Sequence, residues 1–284
     1  MKTTAIAHGA VTLVNAIATG KGAAFGISLE TRAMVELNDS GKISARIKDF
    51  PDEDTKLIEL CSKKVLEFLG VDYGVDIETE SNIPPARGLK SSSAAANAAV
   101  LAVAGAIGGE LPDDLTLINL GIDAALEAKV TITGAFDDAT ASYFGGYVVT
   151  DNMQRKLMKS GQMEQLKVLL FVPDEKTYTQ GVDVEMTKRL AKGVDLAWGR
   201  AMDGKFNSAL TLNGLVYSAT LGQTIDTTLA AIDAGAIAAG LCGTGPAVSA
   251  LTKDDPGAIK DAWKEFPGEI IETDVNNEKA KILK

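Results

Sequence analysis

The sequence predicts a chain of mixed α and β structure, with discrete strand and helix runs on either side of one strand–loop–helix step. Three observations predict it. Residues Thr31–Leu37 alternate between apolar and polar side chains, as a half-buried strand does. In Asp54–Leu69, Leu57, Cys61, Val65 and Phe68 recur at helical spacing. The third is Ile83–Leu101, IPPARGLKSSSAAANAAVL, where a stiff Pro-Pro approach leads through a basic loop into small helix formers. At 284 residues the chain has room for one large domain or two modest ones.

The elements follow in order. Thr3–Val14 reads as a strand, a small turn at His8-Gly9-Ala10 and a second strand. Asn15–Ser28 is glycine-rich around Lys21. It is not a Walker A loop: that motif needs a glycine where Asn15 stands and a Ser or Thr where Gly22 stands. Lys42–Ile47 is expected to pair with Thr31–Leu37 across Asn38-Asp39-Ser40-Gly41. Asp54 is expected to cap the helix that Gly70 ends. Val75–Thr79 is a strand leading into the Pro-Pro loop, and Asp113–Ala128 is a second helix. Tyr147–Thr150 and Lys167–Val172 are strands on either side of a polar link, Asp151–Gln165, which is the expected domain boundary. Asp183–Leu221 reads as two helices broken near Asp203-Gly204, and Thr224–Ala234 as another. A glycine-rich turn at Gly243-Thr244-Gly245-Pro246 sits between apolar runs, then a helix over Asp254–Phe266 and a strand over Glu269–Thr273.

Composition removes several function classes. A net charge of -10 argues against nucleic acid as the main partner, but not against a small anion held by local charge. Cys61, Cys242 and His8 are the only residues of their kinds, and no zinc site or Cys/His catalytic pair can be built from them at ligand spacing. Two isolated cysteines fit a reducing compartment, each as a core filler. The N-terminus lacks a signal-peptide pattern. The most apolar run, Ala94–Ile107, is too short to cross a bilayer. The expectation is a cytoplasmic protein with no membrane partner; its oligomeric state stays open.

Chemistry concentrates at Arg87–Ser93. Serines at a helix start satisfy orphan N–H groups, and the same helix end attracts anions. Arg87 and Lys90 add charge there, so the stretch reads as a phosphate site; the plain alternative is an alanine-rich core helix after a proline turn. Pro85-Ala86-Arg87-Gly88-Leu89-Lys90-Ser91-Ser92-Ser93-Ala94 resembles the phosphate loop of the GHMP kinases, roughly P-x-G-x-G-L-G-S-S-A. Gly88-Leu89 keeps the G-L step, Ala86 stands at the first glycine and Lys90 replaces the third. The opening Ala7–Ala16 has the outline of the family's first motif without its lysine and acid, leaving Lys21 available. These departures resemble the archaeal-type shikimate kinases, a branch of that superfamily. Gly243–Pro246 looks like the third family motif, although a tight hairpin is the plain alternative.

Asp137-Asp138 follows a glycine turn, where a carboxylate can enter a site or merely cap a helix. The family aspartate lies eight residues before the second glycine of a Gly-Gly pair, which selects Asp138 against Gly146. The family's magnesium-binding glutamate lies eleven residues earlier, which selects Glu127.

The resemblance therefore implies a two-domain α+β fold, residues 1–155 and 156–284, with the active site in the interdomain cleft. It implies ATP-dependent phosphorylation of a small-molecule hydroxyl, with shikimate as the acceptor. Pro85, Ala86, Arg87, Gly88, Leu89, Lys90, Ser91, Ser92, Ser93, Ala94 and Ala95 would hold the nucleotide. Ser92 and Glu127 would hold Mg²⁺, and Asp138 would act on the acceptor hydroxyl. Thr12, Asn15, Lys21, Gly243, Thr244 and Gly245 would line the acceptor pocket, with Lys21 for the carboxylate. Another kinase of the superfamily, acting on homoserine or an isoprenoid precursor, stays open. So do a non-catalytic metabolite sensor and an ATP-using decarboxylase, although retention of Glu127 and Asp138 argues against a sensor.

Overall fold

The structure is a computed structural model and describes residues 2–48, 51–174 and 184–283. The first part of the chain runs β1 (Lys2–Val14), β2 (Lys21–Asn38), β3 (Ile43–Ile47), α1 (Lys56–Leu69), β4 (Gly74–Ser81), α2 (Ser91–Ile107), α3 (Asp114–Glu127), α4 (Phe136–Phe144), β5 (Tyr147–Asp151) and β6 (Lys156–Gly161). The rest runs β7 (Lys167–Pro173), α5 (Val184–Lys188), α6 (Ala191–Met202), α7 (Phe206–Leu221), α8 (Asp226–Asp233), β8 (Ala238–Leu241), β9 (Val248–Thr252), α9 (Gly257–Trp263), β10 (Gly268–Asp274) and β11 (Lys281–Leu283).

One sheet is ordered β11-β1-β2-β4-β3, with the β5–β6 hairpin branching from β2. The other is ordered β10-β7-β9-β8 and is antiparallel throughout. The fold is α+β, as the sequence predicts. Strand β2 is long enough to serve several partners. Its Lys21–Phe25 half pairs with β5 and its Thr31–Asn38 half with β4, while β1 runs along its other edge.

Helix α2 lies against β1 and β2 and is flanked by α1, α3 and α4. Its alanines have no polar face to spare, because neighbours surround it, and Ala94, Ala98, Ala99 and Ala102 are fully buried. The small side chains let the flanking helices approach closely. The far ends of β1 and β2 leave this core: Val11, Leu13, Val14, Ala23 and Phe25 join a cluster with Leu169, Leu210, Val248, Leu251 and Trp263 of the second half. The two halves thus share a core, and the turn after β1 stands between them.

Several expectations change. Thr3–Val14 lies in one strand, with register shifts between His8 and Gly9 and between Thr12 and Val14 in place of a turn. Strand β3 does not form a hairpin with β2; it pairs parallel to β4. Helix α1 supplies the crossover that parallel pairing needs, and β4 already occupies that edge of β2. A boundary after residue 155 would cut the β5–β6 hairpin, so the chain crosses between sheets at 162–166 instead. Strand β6 is almost wholly exposed and therefore carries no apolar alternation to announce it. The chain also returns, since β11 pairs with β1.

Thr55 holds the cap position of α1, and the Asp54 carboxylate accepts the Lys56 N–H at 2.9 Å from one residue further out. Gly70 closes that helix in the left-handed conformation, as expected. Asp183 lies outside the described residues; the break at Asp203-Gly204 is present, with a further one between α5 and α6. Both cysteines are buried, and burial pushes the Cys61 thiol up to about 12, as befits an inert core residue.

Candidate active site

Ile83 and Leu89 are buried and anchor the loop before α2 at both ends. Between them Ala86, Gly88 and Lys90 have positive φ (54°, 80° and 65°), alternating with ordinary residues. Such alternation turns successive N–H groups to one side and makes an anion-binding concavity. Ala86 and Lys90 are the two positions where the family pattern carries glycine, so the backbone shape survives both substitutions at some cost in strain. No side chain caps α2 and no acid lies in its first turn. The three serines do not spend themselves on capping, and the orphan N–H groups remain available to an anion.

Lys90 turns its ammonium to Asp138: Nζ lies 2.9 Å from Oδ2. Burial pulls the lysine down, but the Asp138 and Asp137 charges outweigh it, and Lys90 stands above the ordinary lysine value. Asp137 and Asp138 occupy the first turn of α4, where the helix dipole favours carboxylates. The Asp138 Oδ1 atom is buried with no hydrogen-bond partner. Asp137 accepts from Asn152 Nδ2 at 2.7 Å, and burial, then the Asp138 charge, push its carboxyl up to about 7.

The turn over Gly243–Pro246 is clamped from both halves. Its Gly243 N–H donates to Thr12 Oγ1 at 3.0 Å, and its Gly243 carbonyl accepts from Asn15 Nδ2 at 2.9 Å. Asn15 is fixed in turn by Asn213, whose Oδ1 accepts the Asn15 N–H at 2.9 Å, and by Tyr217, whose hydroxyl donates to the Asn15 carbonyl at 3.0 Å. The loop before α2 packs directly on this turn: a Cβ at Gly88 would overlap the Cys242 carbonyl oxygen, and Ala247 N donates to the Arg87 carbonyl. First, second and third motifs are therefore one hydrogen-bonded unit.

A cavity of about 530 Å³ opens over this unit. Of the expected residues, Asn15, Pro85, Ala86, Gly88, Lys90, Ser91, Ser92, Ser93, Ala95, Asp138, Gly243 and Thr244 line it. Its other arm runs between β2, β4 and α1, past Thr31, Ile47, Leu57, Ile58, Thr79 and Ser81. Leu89 and Ala94 are core, Thr12 and Gly245 shape the third turn from behind.

Three charged residues go elsewhere. Arg87 donates to the Asp174 carbonyl at 2.8 Å and does not line the cavity. Lys21 pairs with Asp195 at 3.1 Å and lies 5.1 Å over the Trp198 ring, so it is not the cation of the acceptor pocket in this arrangement. Glu127 pairs with Lys64 at 2.8 Å and is half exposed. It does not line the cavity that Ser92 lines. Alternation explains Lys21: Gly22 faces Asp137, so its neighbour on the strand points to the opposite side. The sequence does not announce Asn152, Asn213, Gly22 or the outer arm, because no local pattern marks a residue whose partner lies on another element: Asn152 meets Asp137 across 15 positions and Asn213 meets Asn15 across 198. The one available signal was Gly22, a glycine inside a strand.

Known proteins resemble this chain in both sequence and fold. Residues 56–146 match the family model described as GHMP kinases N terminal domain, and residues 193–268 match GHMP kinases C terminal. The chain is 46% identical over 288 residues to the shikimate kinase of Methanothermobacter thermautotrophicus, covering 100% of this chain and 99% of that protein. It is 41% identical to the shikimate kinase of Pyrococcus furiosus, covering 93% and 96%. Among solved structures, the Methanococcus jannaschii mevalonate kinase superposes with a TM-score of 0.81 at 18% identity, over 96% of this chain and 98% of that one. A homoserine kinase from Cytophaga hutchinsonii superposes with a TM-score of 0.78 at 18% identity, over 99% and 97%.

Proposed function

We propose, from the premise that this chain belongs to the GHMP kinase family, that it phosphorylates the 3-hydroxyl of shikimate with ATP. Two lines support the acceptor: full-length likeness to proteins named shikimate kinase, and an opening segment, Met1–Leu29, that carries no acid to receive an ammonium group. The observation that carries the chemistry is the Lys90–Asp138 pair with Asp138 Oδ1 left unpartnered. A buried carboxylate oxygen with no donor is an acceptor waiting for a hydroxyl proton.

In the reaction the acceptor oxygen bonds to the γ-phosphorus of ATP, the bond to the β-phosphate oxygen breaks, and ADP leaves. Asp138 Oδ1 accepts the hydroxyl proton as the new bond forms. The N–H groups of the Ala86–Ser93 backbone hold the phosphates, and Lys90 steadies Asp138 while adding positive charge beside them. The outer arm fits a nucleoside, with Ile47, Leu57 and Ile58 against the base and the Thr31–Ser81 hydroxyl pair near its polar edges. Gly243 and Thr244 close the acceptor side.

The residues present fit Mg²⁺ carried by the nucleotide rather than a protein cage. No group of three His, Cys, Asp or Glu gathers among the described residues. Ser92 lines the cavity at the helix start and offers one hydroxyl, and Mg²⁺ takes few protein ligands beside phosphate and water. Bound there, the ion neutralises phosphate charge.

The test is ADP release with shikimate, homoserine, mevalonate and galactose in parallel, with the product identified by mass and phosphorus NMR. Turnover of shikimate to a monophosphate ester at the 3-position is expected. Turnover of homoserine with none of shikimate would overturn the acceptor and leave the kinase chemistry standing.

A further inference from the structure

Asp137 is used by nothing in the mechanism above, yet it is the more elaborately held of the two acids. Asn152 sets its orientation. The Asp137 N–H donates to Asn152 Oδ1 at 3.2 Å, and the Thr150 hydroxyl donates to the same oxygen at 2.7 Å. A backbone N–H only donates, so that end of the amide is the oxygen and the other end is the NH₂. The NH₂ then necessarily donates to Asp137 Oδ1, at 2.7 Å. Asn152 is itself buried and tied to the β1–β2 turn, its N–H donating to the Gly20 carbonyl at 2.7 Å.

Oδ1 is thereby committed, and no described side chain hydrogen-bonds Oδ2. Oδ2 lies against the bare Cα of Gly22, where any Cβ would overlap it. Gly22 has no positive φ to justify glycine, so close approach is what the position requires. Asp137 lines the cavity beside Asp138, Lys90 and Asn15. Successive residues of a helix diverge by about 100°, yet both acids line this one cavity, and the Asp138 charge is felt at the Asp137 carboxyl. Near-neutral titration leaves Oδ2 able to accept from a hydroxyl when ionised and to donate to one when protonated.

We infer that Asp137 is a specificity-determining residue whose Oδ2 hydrogen-bonds the hydroxyl adjacent to the one that Asp138 deprotonates, so that the paired acids read a vicinal diol. In shikimate that neighbour is the 4-hydroxyl, the only hydroxyl on a carbon next to the phosphorylated one. The inference rests on the shikimate reading above. Gly22 and Asn152 are positioning residues for this contact: one makes room for the carboxyl and the other fixes its rotation.

The test compares shikimate with its 4-deoxy analogue, by calorimetric affinity and by kcat. Asp137→Ala should weaken shikimate about tenfold and leave the analogue within about twofold, the size of one lost hydrogen bond. The kcat for shikimate should fall by less than the affinity. Asp137→Asn places an N–H donor where Oδ2 stood and should keep shikimate affinity within about threefold of wild type. Gly22→Ala suits the strand's backbone φ but sets its methyl against the Asp137 carboxyl; by displacing that carboxyl it should reproduce the Asp137→Ala pattern even if that variant fails to fold. Equal weakening of both ligands, or unchanged shikimate affinity in both Asp137→Ala and Gly22→Ala, would overturn the inference. A wild-type enzyme that ignores shikimate altogether would instead overturn the acceptor assignment on which it rests.

Discussion

Lys90 Nζ sits 2.9 Å from Asp138 Oδ2, with both side chains 12% exposed, and the contact ties the phosphate loop to the helix that carries the acid. Lys90 adopts a left-handed backbone to reach it (φ 65°), at a position where the family pattern has glycine. The ammonium also lies beside Gly243, so it touches second and third motifs together.

Removing one partner of a mostly buried pair strands the other charge. Lys90→Met should lower stability by about 3–5 kcal/mol. Adding Asp138→Asn to it should restore part of that loss, since no lone carboxylate is then left. Denaturant titrations of both singles and the double give the coupling; strictly additive losses would show that the pair contributes nothing jointly.

Asp138→Asn preserves shape and removes the proton acceptor. A fall in kcat on the order of 10²–10⁴ is expected from loss of general-base help, with ATP affinity nearly intact. Steady-state kinetics and nucleotide titration check it. Full activity in this variant would shift the catalytic role to another residue.

The loop backbone makes opposite demands at neighbouring positions. Ala86 is left-handed with a Cβ, so Ala86→Gly should stabilise the protein by about 0.5–1 kcal/mol, the relieved strain less the added unfolded-state entropy. Gly88→Ala places a methyl into the Cys242 carbonyl at positive φ and should raise the ATP KM and lower the melting temperature together. Thermal melts and ATP kinetics on both variants decide this; a harmless Gly88→Ala would contradict the close packing of loop on turn.

Ser92 and Glu127 separate in their expected response to magnesium. Ser92→Ala should raise the Mg²⁺ concentration needed for half-maximal activity. Glu127→Gln, held at the surface by Lys64, should leave it unchanged. A parallel shift in both variants would mean that Glu127 leaves Lys64 and joins the ion during turnover.

Asp137 makes stability fall as pH rises. Its carboxyl is pushed from 3.8 up to about 7, so between those values the folded state holds a proton that the unfolded chain has released. Below this window both states are protonated and there is no penalty; above it the penalty is complete, on the order of a few kcal/mol at 1.4 per unit. Asp137→Asn cannot ionise, so its advantage over wild type should grow from about pH 4 to about pH 7 and then level off. Denaturation curves at pH 5 and pH 8 test the sign; parallel curves for variant and wild type would sink it.

What the sequence determined by itself is local in the chain. Helix and strand periodicity set the α+β class. The Pro-Pro and Gly88 pattern marks a loop opening onto a helix of small residues, because proline and glycine restrict or free the backbone locally. The resemblance to the family, through its interval to the Gly-Gly pair, pointed to Asp138, which in the structure has an unpartnered carboxylate oxygen and lies beside Lys90. Only tertiary structure decided where the long charged side chains point. Lys21, Arg87 and Glu127 each carry the right charge for the site, yet turn to Asp195, the Asp174 carbonyl and Lys64. Of the three cations Lys21, Arg87 and Lys90, Lys90 alone lines the cavity. The reason is that a flexible charged side chain settles on the nearest complementary group, and strand order and sheet face decide which group that is. Lys21 and Gly22 are neighbours in sequence but face opposite sides of β2, so the glycine borders the acid pair and the lysine meets α6.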